Sequence, residues 1–156
     1  YRPPLWRSQE EAAEGMKSVV SLVDVMKVSD EESLLLTGET TYEKAALRLL
    51  AQGPKLVAVT LGGDGVLLVS KAHQEMIPAF RTEAVDTTGA GDSFWGGFLS
   101  RFLSYEKELE QMTWDELKNC AVTGNAVASL CVRKRGGIPA VPSRDEVEAF
   151  LHSTLA

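Results

Sequence analysis

A chain of 156 residues, 44% hydrophobic and 24% charged, has the composition of a soluble globular segment able to bury one core. Its 22 carboxylates against 16 Lys and Arg disfavour a nucleic-acid or anionic-membrane surface, since both would repel it, so any phosphate must be held locally. No apolar run approaches the ~18 residues of a membrane span and no signal-peptide pattern opens the chain, so a cytoplasmic location is expected.

The chain begins YRPPLW without an initiator methionine, as if cut from something longer. Ser8 to Glu11 has the form of a capping box, and Ala12, Met16, Val19, Val20 and Val23 recur at helical spacing, predicting a helix to about Leu22. Val25 to Val28 is a short apolar strand, and Ser29-Asp30-Glu31-Glu32 is a second capping box opening a helix that ends near Gly38. Thr40 to Glu43 is a third, followed by a helix closed at Gly53-Pro54. Lys55 to Leu61 is almost continuously apolar, as expected of a strand covered on both faces, and Gly62-Gly63-Asp64-Gly65 turns the chain into a further strand, Val66 to Ser70. His73 to Ala79 reads as another strand, with His73 in an exposed turn. Neither glycine cluster is a P-loop or a dinucleotide fingerprint, because no GK[ST] follows and the GxGxxG spacing is absent.

Asp86 to Asp92, DTTGAGD, sets Gly89, Ala90 and Gly91 in front of the helical run SFWGGFLSRFL. A sharp turn into a helix points backbone N–H groups at one spot and attracts an anion. An acid there suits general-base chemistry at a phosphoryl-transfer site, because the nucleophile must lose a proton. The alternative is that Asp92 only caps the helix while the glycines make a tight turn.

A fourth capping box, Thr113 to Glu116, opens a long helix with Trp114, Leu117, Cys120, Ala121, Gly124, Val127, Ala128 and Cys131 along one face, and a fifth, Ser143 to Glu146, opens the last helix. Cys120 and Cys131 lie about three turns apart, too far to bridge, and read as buried reduced thiols. Two distant histidines assemble neither a zinc site nor a His-dependent catalytic centre. The order of elements predicts an α/β layered structure, with a mainly parallel sheet and some antiparallel strands, and no linker divides it.

DTTGAGDSFWGGFL resembles, over its whole length, the signature of the ribokinase-like (PfkB) carbohydrate kinases, especially their fructokinase branch. The resemblance implies that Gly89, Ala90 and Gly91 form an anion hole over the transferred phosphate and that Asp92 is the base toward a sugar hydroxyl. YRPPLW resembles the end of an NxRxxLW motif, which would bring Arg2 near the phosphates. Glu32 matches the Glu of an NxxE motif that organises magnesium and phosphate, although Ser29 replaces the Asn. VTLGGDG resembles a TLGxxG stretch lining the nucleotide pocket, which would place Thr60, Gly62 and Gly65 beside ATP; a plain glycine turn accounts for the glycines but not for Thr60. TGNAVASL, with Asn125, resembles the adenine side of that pocket. VRKRGGIPAVP resembles the loop that completes it and, with Asp86 and Thr88, a potassium site. Lys134 and Arg135 are either electrostatic aids to phosphate or simply solvated.

By resemblance the chain is the C-terminal, nucleotide-binding and catalytic half of a ribokinase-like fold, without the half that carries the sugar contacts and the lid. The implied activity is ATP- and magnesium-dependent phosphorylation of a sugar, foremost fructose to fructose 6-phosphate, with a homodimer among the assemblies considered. A 2-keto-3-deoxygluconate or related sugar kinase is the nearest rival, and a non-catalytic nucleotide-binding module stands in a different class.

Overall fold

Ser29 shows how local chemistry sets the architecture. Its hydroxyl accepts the Glu32 N–H at 3.1 Å while the Glu32 carboxylate accepts the Ser29 N–H at 2.8 Å, so one residue ends strand β1 (Val25–Ser29) and starts helix α2 (Asp30–Thr37). Gly38 closes that helix in the left-handed conformation (φ 71°). The computed structural model describes residues 1–155 and has two compact units, one made of Tyr1–Leu61 with Leu67–Met76 and the other of Gly62–Val66 with the chain from Ile77 onward.

In the first unit, β1 pairs in parallel with β2 (Leu56–Thr60), in a register running from Val25 against Leu56 to Ser29 against Thr60. A parallel neighbour needs a crossover, which α2 and helix α3 (Tyr42–Leu50) provide. Strands β3 (Val66–Ser70) and β4 (Gln74–Ile77) follow in the order β1-β2-β3-β4. Their connections, Leu61–Gly65 and Lys71–His73, are too short for crossovers, so these pairings are antiparallel and the sheet is mixed. Helix α1 (Gln9–Val20) completes the unit. Val20, Val28, Leu36, Leu49, Val57, Val59, Leu67 and Val69 form one cluster, each between 0 and 4% exposed. Every leucine or valine buried there contributes roughly 1.5–3 kcal/mol.

The second unit is built on helices α4 (Ala90–Ser104), α5 (Trp114–Cys131) and α6 (Arg144–Leu155). Ser93 meets Cys131, Phe94 meets Gly124 and Arg101 meets Thr123, so α4 and α5 run antiparallel. They approach closely because Gly97 and Gly124 carry no side chains: a β-carbon on Gly97 would sit 2.6 Å from Val127 Cγ2, and one on Gly124 would sit 2.8 Å from the Phe94 ring. Phe80 packs edge-on to Phe150, with ring centroids 5.0 Å apart, and with Ala126, Val127 and Val147 forms a cluster between α5 and α6.

Several boundaries differ from expectation. Helix α1 stops at Val20, with Ser21 as its C-cap, and Leu22 beyond it is 78% exposed, so little burial is gained by extending the helix. Glu11 reaches back to the Arg7 N–H instead of the Ser8 N–H, so Ser8 caps without a reciprocal box. The cap of α3 is Thr41, not Thr40; it accepts the Lys44 N–H, and no acid returns the bond. Strand β4 ends at Ile77, where Pro78 offers no N–H and the Ile77 and Pro78 carbonyls are taken by Asn125 of α5. Buried positions 123–127 surround α5 on more than one face, so its core contact is broader than a single stripe.

Candidate active site

The turn before α4 is set by Gly89, which adopts φ 78° and ψ 6° as the N-cap. That left-handed geometry suits glycine, and a β-carbon there would also lie 3.2 Å from the Gly137 Cα. No side chain caps the helix, so Asp92 is not its cap: it occupies the third helical position, exposed, and carries no side-chain hydrogen bond or ion pair among the described residues. The Ala90 N–H is spent on the Thr87 carbonyl at 3.1 Å and the Ser93 N–H on the Gly89 carbonyl at 2.8 Å. Gly91 and Asp92 supply first-turn N–H groups, for which an α-helix has no internal acceptor. An anion fits such a cradle, and the Asp92 carboxylate at its rim is available to take a proton.

Asp86 ties this turn to the loop after α5. Its Oδ1 accepts the Thr88 N–H and its Oδ2 accepts the Gly136 N–H, both at 2.9 Å, while the Val85 and Asp86 N–H groups donate to Val132 at 2.8 and 3.1 Å. The bond from Gly136, then those from Thr88, hold the Asp86 carboxyl down at about 2, so it is ionised at neutral pH. Its oxygens retain lone pairs after two N–H bonds, which fits a cation ligand. Gly136, with φ 90°, lies in the VRKRGGIPAVP loop that the resemblance set beside Asp86, and its N–H is the group there that the carboxylate receives. Of the three basic residues nearby, Arg133 donates to Thr82 Oγ1 at 2.8 Å and lies over the Phe150 ring, and Lys134 meets Glu146 at 3.4 Å. Those two are held by the fold.

The second unit also holds Gly62, Gly65 and Asn125. Gly65 (φ 113°) is indispensable to the backbone, because a β-carbon there would stand 2.2 Å from the Ile77 carbonyl oxygen, whereas Gly62 (φ 57°) faces open space. Asn125 is 5% exposed and its amide nitrogen spans the Ile77 and Pro78 carbonyls at 3.1 and 3.0 Å. The first unit carries Thr60 and Glu32. Thr60 donates to the Val28 carbonyl at 3.3 Å, a cross-strand use the sequence did not suggest. At Glu32 burial pushes the carboxyl up, but bonds from the Tyr1 amino group and the Ser29 N–H outweigh it and leave the acid below the usual carboxylate range. Among the described residues no three His, Cys, Asp or Glu side chains gather into a metal site. Both cysteines are buried and free.

The sequence pattern of the pfkB family carbohydrate kinases matches residues 1–144. The chain belongs to this family. Among relatives of this pfkB-family chain, the probable fructokinase-4 of Arabidopsis thaliana is 38% identical over 151 residues, covering 96% of this chain and 46% of that protein. The crystal structure of a double-mutant fructokinase from Vibrio cholerae O395, with fructose, ADP and potassium ion bound, superposes with a TM-score of 0.88 at 30% identity, covering 97% of this chain and 48% of that one. Aminoimidazole riboside kinase from Salmonella enterica, complexed with aminoimidazole riboside and an ATP analogue, gives a TM-score of 0.84 at 30% identity, covering 97% and 50%. The pfkB-family chain therefore has the ribokinase-like α/β fold and spans about half the length of the curated relatives it matches, corresponding to a C-terminal part of them.

Proposed function

We propose that this chain is the catalytic and nucleotide-binding part of an ATP-dependent sugar kinase, with fructose as the acceptor. The carrying observation is the turn at Gly89: a left-handed glycine opens α4 without a side-chain cap and leaves Asp92 beside the first-turn N–H groups with no side-chain partner among the described residues. Asp92 takes the proton of the sugar hydroxyl as that oxygen bonds to the γ-phosphorus and the bond to ADP breaks, while the Gly91 and Asp92 N–H groups stabilise the charge on the moving phosphoryl oxygens. Asp86 and Thr88, with the loop at Gly136 and Gly137, are assigned to a potassium ion that holds this turn; Thr60, Gly62, Gly65 and Asn125 to the nucleotide; and Glu32 to the magnesium–phosphate assembly. Fructose is favoured by the names of the 38%-identical plant relative and of the Vibrio cholerae structure.

The test is a panel of sugars with ATP, magnesium and either potassium or a bulky organic cation, assayed on the full-length protein. Fructose should give the highest kcat/KM, and potassium should raise the rate. Turnover of another sugar with none of fructose removes the specificity, equal rates in both cations remove the potassium assignment, and transfer to no sugar removes the kinase reading.

A further inference from the structure

The loop at Gly136 and Gly137 is held to the Gly89 turn from one side by Asp86. A second connection runs through the buried interior. Ser93, 6% exposed and next to Asp92, does not bond back to its own helix in the manner usual for serine; its hydroxyl donates to Cys131 Sγ at 3.1 Å. The Cys131 thiol, fully buried at the last turn of α5, donates onward to the Gly137 carbonyl at 4.0 Å. Gly137 in turn packs against Gly89, where a β-carbon would come within 3.2 Å. The signature helix, the end of α5 and the loop thus meet at one sulphur atom.

We propose that Ser93, Cys131 and the Gly137 carbonyl form an internal brace, with Ser93 and Cys131 as positioning residues that fix the loop against the Gly89 turn and so keep Asp92 and its N–H cradle aligned. Both side chains are buried, Ser93 at 6% and Cys131 at 0% exposure. Each hydroxyl or thiol has one proton, and the sequence Ser93 to sulphur to carbonyl uses both in one direction. Asp86 grips the loop by its N–H and the brace grips it one residue later by a carbonyl, so the peptide between them is held at both ends.

The positioning role rests on the kinase reading above, whereas the brace itself is tested without activity. Cys131→Val and Cys131→Thr have nearly the same shape, but only Thr carries a hydroxyl, which can accept from Ser93 and, once the loop settles inward, donate to Gly137. In the full-length protein, hydrogen exchange of the Gly136 amide should be about 3- to 10-fold faster in Cys131→Val than in Cys131→Thr, as expected when the bond from Ser93 and the weak thiol contact to Gly137 are both lost. Burying a hydroxyl in place of a methyl tends to lower global stability, so a packing effect pushes exchange in the opposite direction. Ser93→Ala, which leaves the Cys131–Gly137 contact in place, should raise the exchange less than Cys131→Val does, and adding it to Cys131→Val should bring little further change. With sugar and ATP, Cys131→Val should lower kcat by about 10-fold at nearly constant KM, and Cys131→Thr should restore it to within about 3-fold of the parent. Equal Gly136 exchange in the Val and Thr variants overturns the brace. Different exchange with equal kcat overturns its positioning role. If the parent phosphorylates no sugar, the kinase reading and the positioning role fall together, and the exchange comparison still decides the brace.

Discussion

At the scale of single residues, the two acids of the signature stand in different surroundings. Asp86 is bonded through both oxygens to backbone N–H groups, whereas Asp92 is left open. With Gly89 as the cap, Asp92→Asn should change stability only through the weak interaction of a first-turn charge with the helix dipole, about 0.3–1 kcal/mol. In the full-length protein we expect kcat to fall by about 10²- to 10⁴-fold, equivalent to roughly 3–5 kcal/mol of transition-state stabilisation, while KM for ATP stays level or improves as a negative charge near phosphate is removed. Steady-state kinetics with a melting curve check this, and a variant with parental kcat defeats the general-base role. Asp86 leads to a pH prediction. Its carboxyl is depressed from 3.8 to about 2 in the fold, so its contribution to stability is fully present above pH ~4 and is lost as pH falls through about 2. The difference in melting temperature between parent and Asp86→Asn should therefore shrink from pH 4 to pH 2 and be constant from pH 5 to 7; a difference independent of pH over the acid range contradicts the assignment.

At the scale of elements, the contact between α4 and α5 depends on which glycine faces inward. Gly96 and Gly97 are adjacent in sequence, yet a β-carbon on Gly96 meets nothing within 4 Å, while one on Gly97 meets Val127 at 2.6 and 2.9 Å and the Gly124 backbone at 3.2 Å. Gly96→Ala should stabilise by up to about 1 kcal/mol through helix propensity, and Gly97→Ala should destabilise by roughly 1–3 kcal/mol through overpacking. Urea midpoints of the two variants should move in opposite directions, and movement in the same direction contradicts this packing. The elements themselves were legible where chemistry is local: the boxes at Ser29, Thr113 and Ser143 form as written, because a hydroxyl and an acid three residues apart satisfy each other without outside help. The cap of α3 was less so, since Thr40 and Thr41 stand side by side and only the packing of Ala45, Ala46 and Leu49 chooses between them. At the site, the glycine turn and both acids could be read from DTTGAGD. The loop that meets Asp86, 50 residues away, was legible only through the resemblance of VRKRGGIPAVP, and the contact of Ser93 with Cys131, 38 residues apart, was not legible at all, because no local rule spans such intervals.

At the scale of the molecule, the chain spans about half the length of its curated relatives. Residues 1–156 alone should bind MgATP weakly and phosphorylate sugar at a negligible rate, since holding both reactants in line supplies much of the barrier reduction. Calorimetry with MgATP beside a sugar-phosphorylation assay measures both, and robust turnover by this chain alone contradicts the expectation. The buried thiols described above give the same molecule an internal clock. Burial pushes the Cys120 thiol up to about 12 and leaves it fully covered, so at pH 8 it is neither ionised nor reachable in the folded state. A soluble alkylating reagent should therefore modify Cys120 only in moments when α5 lifts from its neighbours, and the labelling rate should saturate with reagent concentration at the opening rate. Every molecule then carries, without any added probe, a chemical record of how often its second unit has opened.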